Sequence, residues 1–459
     1  MEQITKPHCG ARLDRLPDCR WHSSMFAIVA FGLLVCWSNA VGGLILAQLK
    51  ALGWTDNSTT ATFSAITTAG MFLGALVGGI IGDKTGRRNA FILYEAIHIA
   101  SMVVGAFSPN MDFLIACRFV MGVGLGALLV TLFAGFTEYM PGRNRGTWSS
   151  RVSFIGNWSY PLCSLIAMGL TPLISAEWNW RVQLLIPAIL SLIATALAWR
   201  YFPESPRWLE SRGRYQEAEK VMRSIEEGVI RQTGKPLPPV VIADDGKAPQ
   251  AVPYSALLTG VLLKRVILGS CVLIAMNVVQ YTLINWLPTI FMTQGINLKD
   301  SIVLNTMSMF GAPFGIFIAM LVMDKIPRKT MGVGLLILIA VLGYIYSLQT
   351  SMLLITLIGF FLITFVYMYV CYASAVYVPE IWPTEAKLRG SGLANAVGRI
   401  SGIAAPYAVA VLLSSYGVTR VFILLGAVSI VVAIAIATIG IETKGVSVES
   451  LSIDAVANK

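Results

Sequence analysis

Apolar residues run in long stretches along almost the whole chain, each closed by a short polar turn. Twelve stretches have the length of a membrane crossing: 25–47, 62–82, 90–108, 113–135, 148–170, 184–202, 266–291, 302–323, 331–348, 352–377, 391–413 and 420–441. About 20 apolar residues in helical form cross a bilayer core, where backbone groups find no water to bond. The pattern predicts an all-α membrane protein. One long polar stretch, 203–265, separates six spans from six. The expected organisation is a tail at 1–24, a six-helix bundle at 25–202, the linker 203–265, a second six-helix bundle at 266–441, and a tail at 442–459. The first apolar run is longer than a signal-peptide core and no small-residue cleavage site follows it, so it is expected to be retained as a span.

Polar punctuation repeats between the halves. Gly82-Asp83-Lys84-Thr85-Gly86-Arg87-Arg88 follows the second run, and Asp324-Lys325-Ile326-Pro327-Arg328-Lys329 follows the eighth. In both, an acid is followed by Lys at +1 and by bases at +4 and +5. Glu138-x-x-Pro141 leading to Arg145-Gly146 is matched by Glu380-x-x-Pro383 leading to Arg389-Gly390. The two pairs repeat at offsets of 241 and 242 residues. Two motifs duplicated at one offset predict twelve transmembrane helices in two pseudo-repeat bundles, the construction of many secondary transporters.

Composition agrees. The chain is 56% hydrophobic and 13% charged, about half the charge of a soluble domain. The net charge of +10 is no sign of nucleic-acid binding, because the bases gather in alternate loops. Lys6, Arg12, Arg15 and Arg20 lie in the tail. Lys84, Arg87, Arg88, Arg143 and Arg145, then the linker, then Lys325, Arg328, Lys329, Lys387 and Arg389 lie in every second loop thereafter. The other loops carry Lys50, Arg181, Lys299 and Arg420. This asymmetry predicts cytoplasmic termini and a multi-pass protein of the cell inner membrane. Of seven cysteines, five fall inside spans and two in the tail, Cys9 and Cys19, which is no disulfide framework.

On these pieces the chain resembles the major facilitator superfamily, within it the sugar-porter and metabolite:proton symporter branches. The matching segments are Gly82–Arg88, Arg118 followed by Gly122-x-Gly124-x-Gly126, Glu138–Gly146, Pro203–Leu209, Asp324–Lys329, Glu380–Gly390 and Glu442–Gly445. The resemblance implies a gate on the cytoplasmic face built from Asp83, Arg87, Arg88, Glu138, Arg145, Asp324, Arg328, Glu380 and Arg389. Glu138 is expected close to Arg145, and Glu380 close to Arg389.

The chain departs from the sugar-porter pattern on three spans. Ala275 and Met276 stand where its seventh-span glutamines would be, with Tyr281 at its Asn. Ala375 replaces its tenth-span Trp. Ser38, beside Asn39, replaces its first-span acid. The stretch Asn395–Gly402, with Arg399 about 13 Å into the eleventh span at 1.5 Å per residue, is closer to organic-acid and niacin-type members. Intramembrane charge is costly and usually functional. Arg399 and Arg118 are therefore candidate anion ligands, the alternative being that each is neutralised by backbone carbonyls or Glu95, or snorkels, with Arg399 also open to pairing with a helix end. Asn39, Asn157, Gln280, Tyr281, Asn285, Trp286, Asn305 and Tyr372 complete the expected substrate set; Tyr367 and Tyr369 are weighed as packing. Glu95 and His98, three apart on one helix face, are candidates for proton coupling or a structural pair.

No cofactor, metal or nucleic-acid partner is expected. His8-Cys9 and Cys19-x-x-His22 match no standard zinc spacing, and Asp83 spoils the phosphate-loop likeness of Gly78–Thr85. With no catalytic constellation, the chain is expected to be a monomeric secondary active transporter for a small polar metabolite: a sugar, sugar acid or organic acid. Protons are the candidate coupling ion. Alternatives are a facilitated-diffusion uniporter, which fits the missing first-span acid, and a nutrient sensor, against which the short tails argue.

Overall fold

The computed structural model describes residues 7–17, 19–35, 37–141, 145–240, 253–323, 325–383 and 386–444. Ten helices there are long and apolar enough to cross a membrane: Asn57–Thr85, Arg87–Ala106, Met111–Tyr139, Ala176–Tyr201, Gly260–Thr293, Leu298–Val322, Arg328–Ser347, Met352–Glu380, Arg389–Tyr416 and Val418–Ile439. These are spans two, three, four and six to twelve. Spans one and five are the two missing from that set because each is broken. Span one runs as Arg20–Val35 and Gly42–Ala51, with a turn at 37–41 between them. Span five runs as Arg145–Asn157 and Ser159–Leu170. The result is the twelve-helix, two-repeat fold.

The chain divides into two compact units. The first holds 1–39, 70–159 and 184–246; the second holds 40–69, 160–183 and 247–459. The cut falls at the breaks of spans one and five.

Close helix contact in each unit is made by small residues. In the first, a Cβ on Gly74 would lie 2.1 Å from the Val123 carbonyl oxygen, and one on Gly126 would lie 2.1 Å from that of Met71. Spans two and four therefore meet backbone to backbone, the contact expected of the Gly122–Gly126 face. In the second unit, a Cβ on Gly315 would lie 2.3 Å from the Thr364 carbonyl oxygen. Gly74 with Val123, and Gly315 with Thr364, are the same contact 241 residues apart.

The N-terminal tail is folded. A short helix, Cys9–Asp14, packs with linker helices Pro206–Ser211 and Tyr215–Thr233. Cys9, Leu13, Leu16, Trp208, Leu209, Met222, Ile225 and Val229 form its core. Arg12 bonds Glu219 and Glu226, Arg15 bonds Glu226 at 2.6 Å, and Arg207 bonds Asp14 at 3.0 Å. Burial, then a hydrogen bond to Glu210, pushes the Cys9 thiol up to about 12.

Candidate functional site

Three groups of polar residues stand out. The first two are charge networks at the ends of spans, one in each unit. In the first unit, Arg87 begins span three. Its guanidinium bonds Asp83 at 2.7 Å and Glu138 at 2.9 Å. Glu138 also accepts from the Ser205 hydroxyl. Glu204 accepts from the backbone N–H of Arg87 at 2.7 Å and of Arg88 at 3.2 Å. A carboxylate is favoured there, where free N–H groups and the helix dipole converge. Gly86, at φ +96°, makes room: a Cβ on it would lie 2.2 Å from Glu204 Oε2.

The second unit repeats this plan. Arg328 begins span nine and grips Glu380 through two bonds, 3.0 and 3.1 Å. Thr443 donates to Glu380 at 2.6 Å. Glu442 accepts from the N–H groups of Arg328, Lys329 and Lys444 at 2.7, 3.1 and 3.1 Å. Burial raises the Glu442 carboxyl, but those N–H groups and the Arg328 charge outweigh it and hold the pKa below the usual glutamate value. Arg87, Glu138, Glu204 and Ser205 thus correspond to Arg328, Glu380, Glu442 and Thr443.

The expected partners change accordingly. Glu138 and Glu380 are held by Arg87 and Arg328, the bases that open the preceding odd-numbered spans. Arg389 instead lies over the Tyr254 ring at 5.2 Å. Arg88 donates to the Trp199 carbonyl. Asp324 and the side chain of Arg145 lie outside the described residues. Sequence reasoning missed Glu204 and Glu442. Their signal was present, since Glu204-Ser205 and Glu442-Thr443 each follow a last span of six.

The third group lines spans of the second unit. Span eleven presses Gly398 and Gly402, one helical turn apart, onto span seven. A Cβ on Gly402 would meet the Tyr281 ring at 3.1 Å and Thr68 at 3.4 Å. Tyr160 and Tyr367 meet edge to face at 5.3 Å, and Tyr281 and Gln280 adjoin them. Asn305 donates to Ser164 at 3.2 Å, and its Oδ1 has no hydrogen-bond partner. Arg399, next to Gly398, has its Nη1 buried and likewise unbonded. Gln280, Tyr281, Asn305 and Arg399 are therefore in one unit, joined by Tyr160, Ser164 and Thr68, which sequence reasoning did not select. Tyr160 was discoverable as a polar aromatic just after the break in span five.

Other candidates have structural partners. Asn285 and Trp286 are buried in span seven, where Gly43 of span one crosses the Asn285 carbonyl. Tyr372 sits in the wide turn Cys371–Tyr377 of span ten and stacks on Tyr377, centroids 5.0 Å apart. Such wide turns often mark functional positions. Tyr369 donates to the Val272 carbonyl at 3.1 Å. In the first unit, Asn157 donates to Ser153 of its own helix at 2.7 Å, and Asn39 lies in the turn that breaks span one. Arg118 donates to the Ser38 carbonyl in that turn at 2.7 Å. His98 lies between Glu95 and Ser38, 3.4 Å from the carboxylate and 2.7 Å from the hydroxyl.

Comparison with known proteins gives concordant matches. The Major Facilitator Superfamily profile matches residues 26–406. The inner membrane metabolite transport protein YdjE of Escherichia coli (strain K12) is 44% identical over 98% of this chain and 99% of its own. The niacin transporter NiaP of Acinetobacter baylyi (strain ATCC 33305 / BD413 / ADP1) is 26% identical over 96% and 99%. The xylose transporter XylE from E. coli, in a partially occluded inward open conformation, superposes with a TM-score of 0.73 at 18% identity, covering 93% of this chain and 100% of that one.

Proposed function

This chain belongs to the Major Facilitator Superfamily, and on that premise we propose that it is a secondary active transporter carrying a small carboxylate-bearing metabolite across the cell inner membrane. It works by alternating access, with a proton gradient as the energy source and both termini in the cytoplasm. The fold has two six-helix bundles, 25–202 and 266–441, joined by the linker 203–265, and a monomer suffices.

The observation that carries the substrate class is Arg399. Arg399 is half-buried in its span, and its Nη1 is buried with no hydrogen-bond partner among the described residues, which is expensive unless something pairs with it. A carboxylate accepts paired, charge-assisted bonds from such a fork. The tyrosines 160, 281 and 367 provide flat apolar walls with polar edges, which suit a planar or ring-bearing acid. Of the hexose-reading positions, Ala275, Met276 and Ala375 offer a neutral sugar no polar hydrogen-bonding group, and Tyr281 offers a single hydroxyl in place of an amide. Asp83, Arg87, Arg88, Glu138, Arg328, Glu380 and Arg389 act in the cytoplasmic gate.

The test is uptake into proteoliposomes of radiolabelled nicotinate, benzoate, gluconate, galacturonate, glucose and xylose. An acid is expected to be carried well above its neutral counterpart. Arg399→Lys keeps the charge and loses the fork, so it should weaken uptake of that acid about tenfold, and Arg399→Gln should nearly abolish it. Equal or better uptake of glucose or xylose would overturn the carboxylate assignment and leave a sugar porter with a remodelled site.

A further inference from the structure

Glu95 and His98 are fully buried in span three, and Arg118 of span four is 1% exposed. Two bases and an acid inside the membrane need an account. His98 and Arg118 converge on Ser38, in the turn between the two helices of span one, and Glu95 reaches it through the His98 ring. Ser38 bonds His98 Nε2 through its hydroxyl at 2.7 Å and Arg118 through its carbonyl at 2.7 Å. On the far side of the imidazole, Nδ1 lies 3.4 Å from Glu95 Oε2. Gly124 lets span four come this close: a Cβ there would lie 3.0 Å from the His98 backbone nitrogen.

We propose that Glu95, His98 and Ser38 form the proton-binding centre of this transporter, with His98 as the group that gains and loses the proton and Ser38 as its link to the break in span one. It deepens the proton-coupled reading above and moves the protonatable group from span one to span three.

Imidazole is the side chain whose ordinary titration lies nearest neutrality. In the unloaded state the ring is neutral. Nδ1–H points at the Glu95 carboxylate, and Nε2 accepts the Ser38 O–H. A proton from water adds to Nε2 and forms a new N–H bond. The Ser38 hydroxyl then turns over and accepts from that N–H. Glu95 stays ionised and Arg118 stays cationic. The centre's charge thus goes from zero to plus one, and one carboxylate substrate restores neutrality. Loss of the proton from Nε2 to water reverses every step. Facing His98 from its own helix is Glu95, from span four Arg118, and from span one the uncharged Ser38. Cys117 of span four turns to Gly105 instead.

Reversing the Ser38 hydroxyl disturbs the turn that joins the two helices of span one. The carbonyl of the same residue accepts from Arg118, so this turn is where protonation is converted into movement of span one.

The chain has three histidines, so the test needs no known substrate. The full chain is labelled with 13C,15N-histidine in lipid nanodiscs and followed by NMR from pH 4.5 to 9; His98→Gln assigns the signal. The His98 ring is expected to pass from cationic to neutral within that range. Glu95→Gln, which leaves the ring a neutral neighbour, should move the midpoint. Hydrogen exchange at 37–41, corrected for intrinsic rates, should change severalfold across the wild-type midpoint. In Ser38→Ala the ring should still titrate, with the change in exchange lost. A His98 ring that keeps one protonation state throughout would overturn the proposal. So would exchange at 37–41 that is equal on both sides of the midpoint. The uptake panel can fail while this titration succeeds, and the reverse, so the two proposals fall separately.

Discussion

At the scale of single residues, the charge networks show how a few polar groups are held at the edge of an apolar medium. Arg328 is 6% exposed, and its bidentate grip on Glu380 carries directional as well as Coulombic energy. Glu380 is about one-third exposed, so Glu380→Gln should cost ~1–2 kcal/mol of stability, well short of a fully buried pair. The matching expectation in transport is a loss of turnover with little change in substrate affinity, since Glu380 is placed in the gate; thermal melting and uptake kinetics on the same variant check both. Equal turnover with weakened affinity would move Glu380 to the binding site. Gly86 offers a sharper case. Gly86→Ala puts a Cβ against Glu204 and asks an L-residue to hold φ +96°, a conformation costing about 1–3 kcal/mol. The variant should melt below wild type, while Gly228→Ala, with open space around it, should not. The acid–base repeat was legible from spacing alone. Which base meets which acid was not, because Arg145 and Arg389 are near Glu138 and Glu380 in sequence while Arg87 and Arg328 are near them in space.

Whole elements are set by two features of different visibility. All twelve spans could be read from apolar length. The breaks in spans one and five were not anticipated, although polar Ser38-Asn39 stands at the first and Asn157-Trp158-Ser159-Tyr160-Pro161 at the second. Helix contact was legible in part. The Gly122–Gly126 face was evident, but its partners Gly70 and Gly74 on span two appear only once the backbones meet. Gly74→Leu and Gly315→Leu should each abolish the folded, monodisperse protein, measured by size-exclusion yield, because backbone atoms block the new side chain. The tail was read as a polar leader, yet Leu13, Leu16 and Cys9 are buried on the linker helices. Short segments of three or four apolar residues are too weak a periodic signal to predict such docking. Its pH dependence follows from Glu219 and Glu226. Burial raises both carboxyls, but Arg12 and its basic neighbours outweigh this and hold them below the ordinary glutamate value. Groups depressed in the folded state stabilise it above that value, and the contribution is lost as pH falls through their lowered folded values. Hydrogen exchange at 9–14 should therefore be slow at pH 7 and rise as pH falls below the ordinary glutamate range. Arg12→Gln should release the tail already at neutral pH and expose Cys9 to thiol reagents.

On the scale of the whole molecule, the two halves repeat in sequence, in helix contact and in charge network at nearly one offset. The asymmetry that remains is in loop charge, and it decides orientation. Lysines and arginines near span ends resist translocation, and here they crowd the tail, the linker and every second loop. Lys235 of the linker and Lys299 of the loop before span eight are both exposed and belong to opposite charge classes. In a variant with all seven native cysteines replaced, Lys235→Cys and Lys299→Cys are each treated on intact cells with a membrane-impermeant maleimide. Lys299→Cys should label at once. Lys235→Cys should label only after permeabilisation. The reverse result would turn the molecule over and put both networks, Arg87 with Glu138 and Arg328 with Glu380, on the outer face. They would then close the opposite entrance, and a proton driven inward would meet the gate before it met His98. The labelling pattern thus fixes the direction in which a proton gradient can do work on this chain.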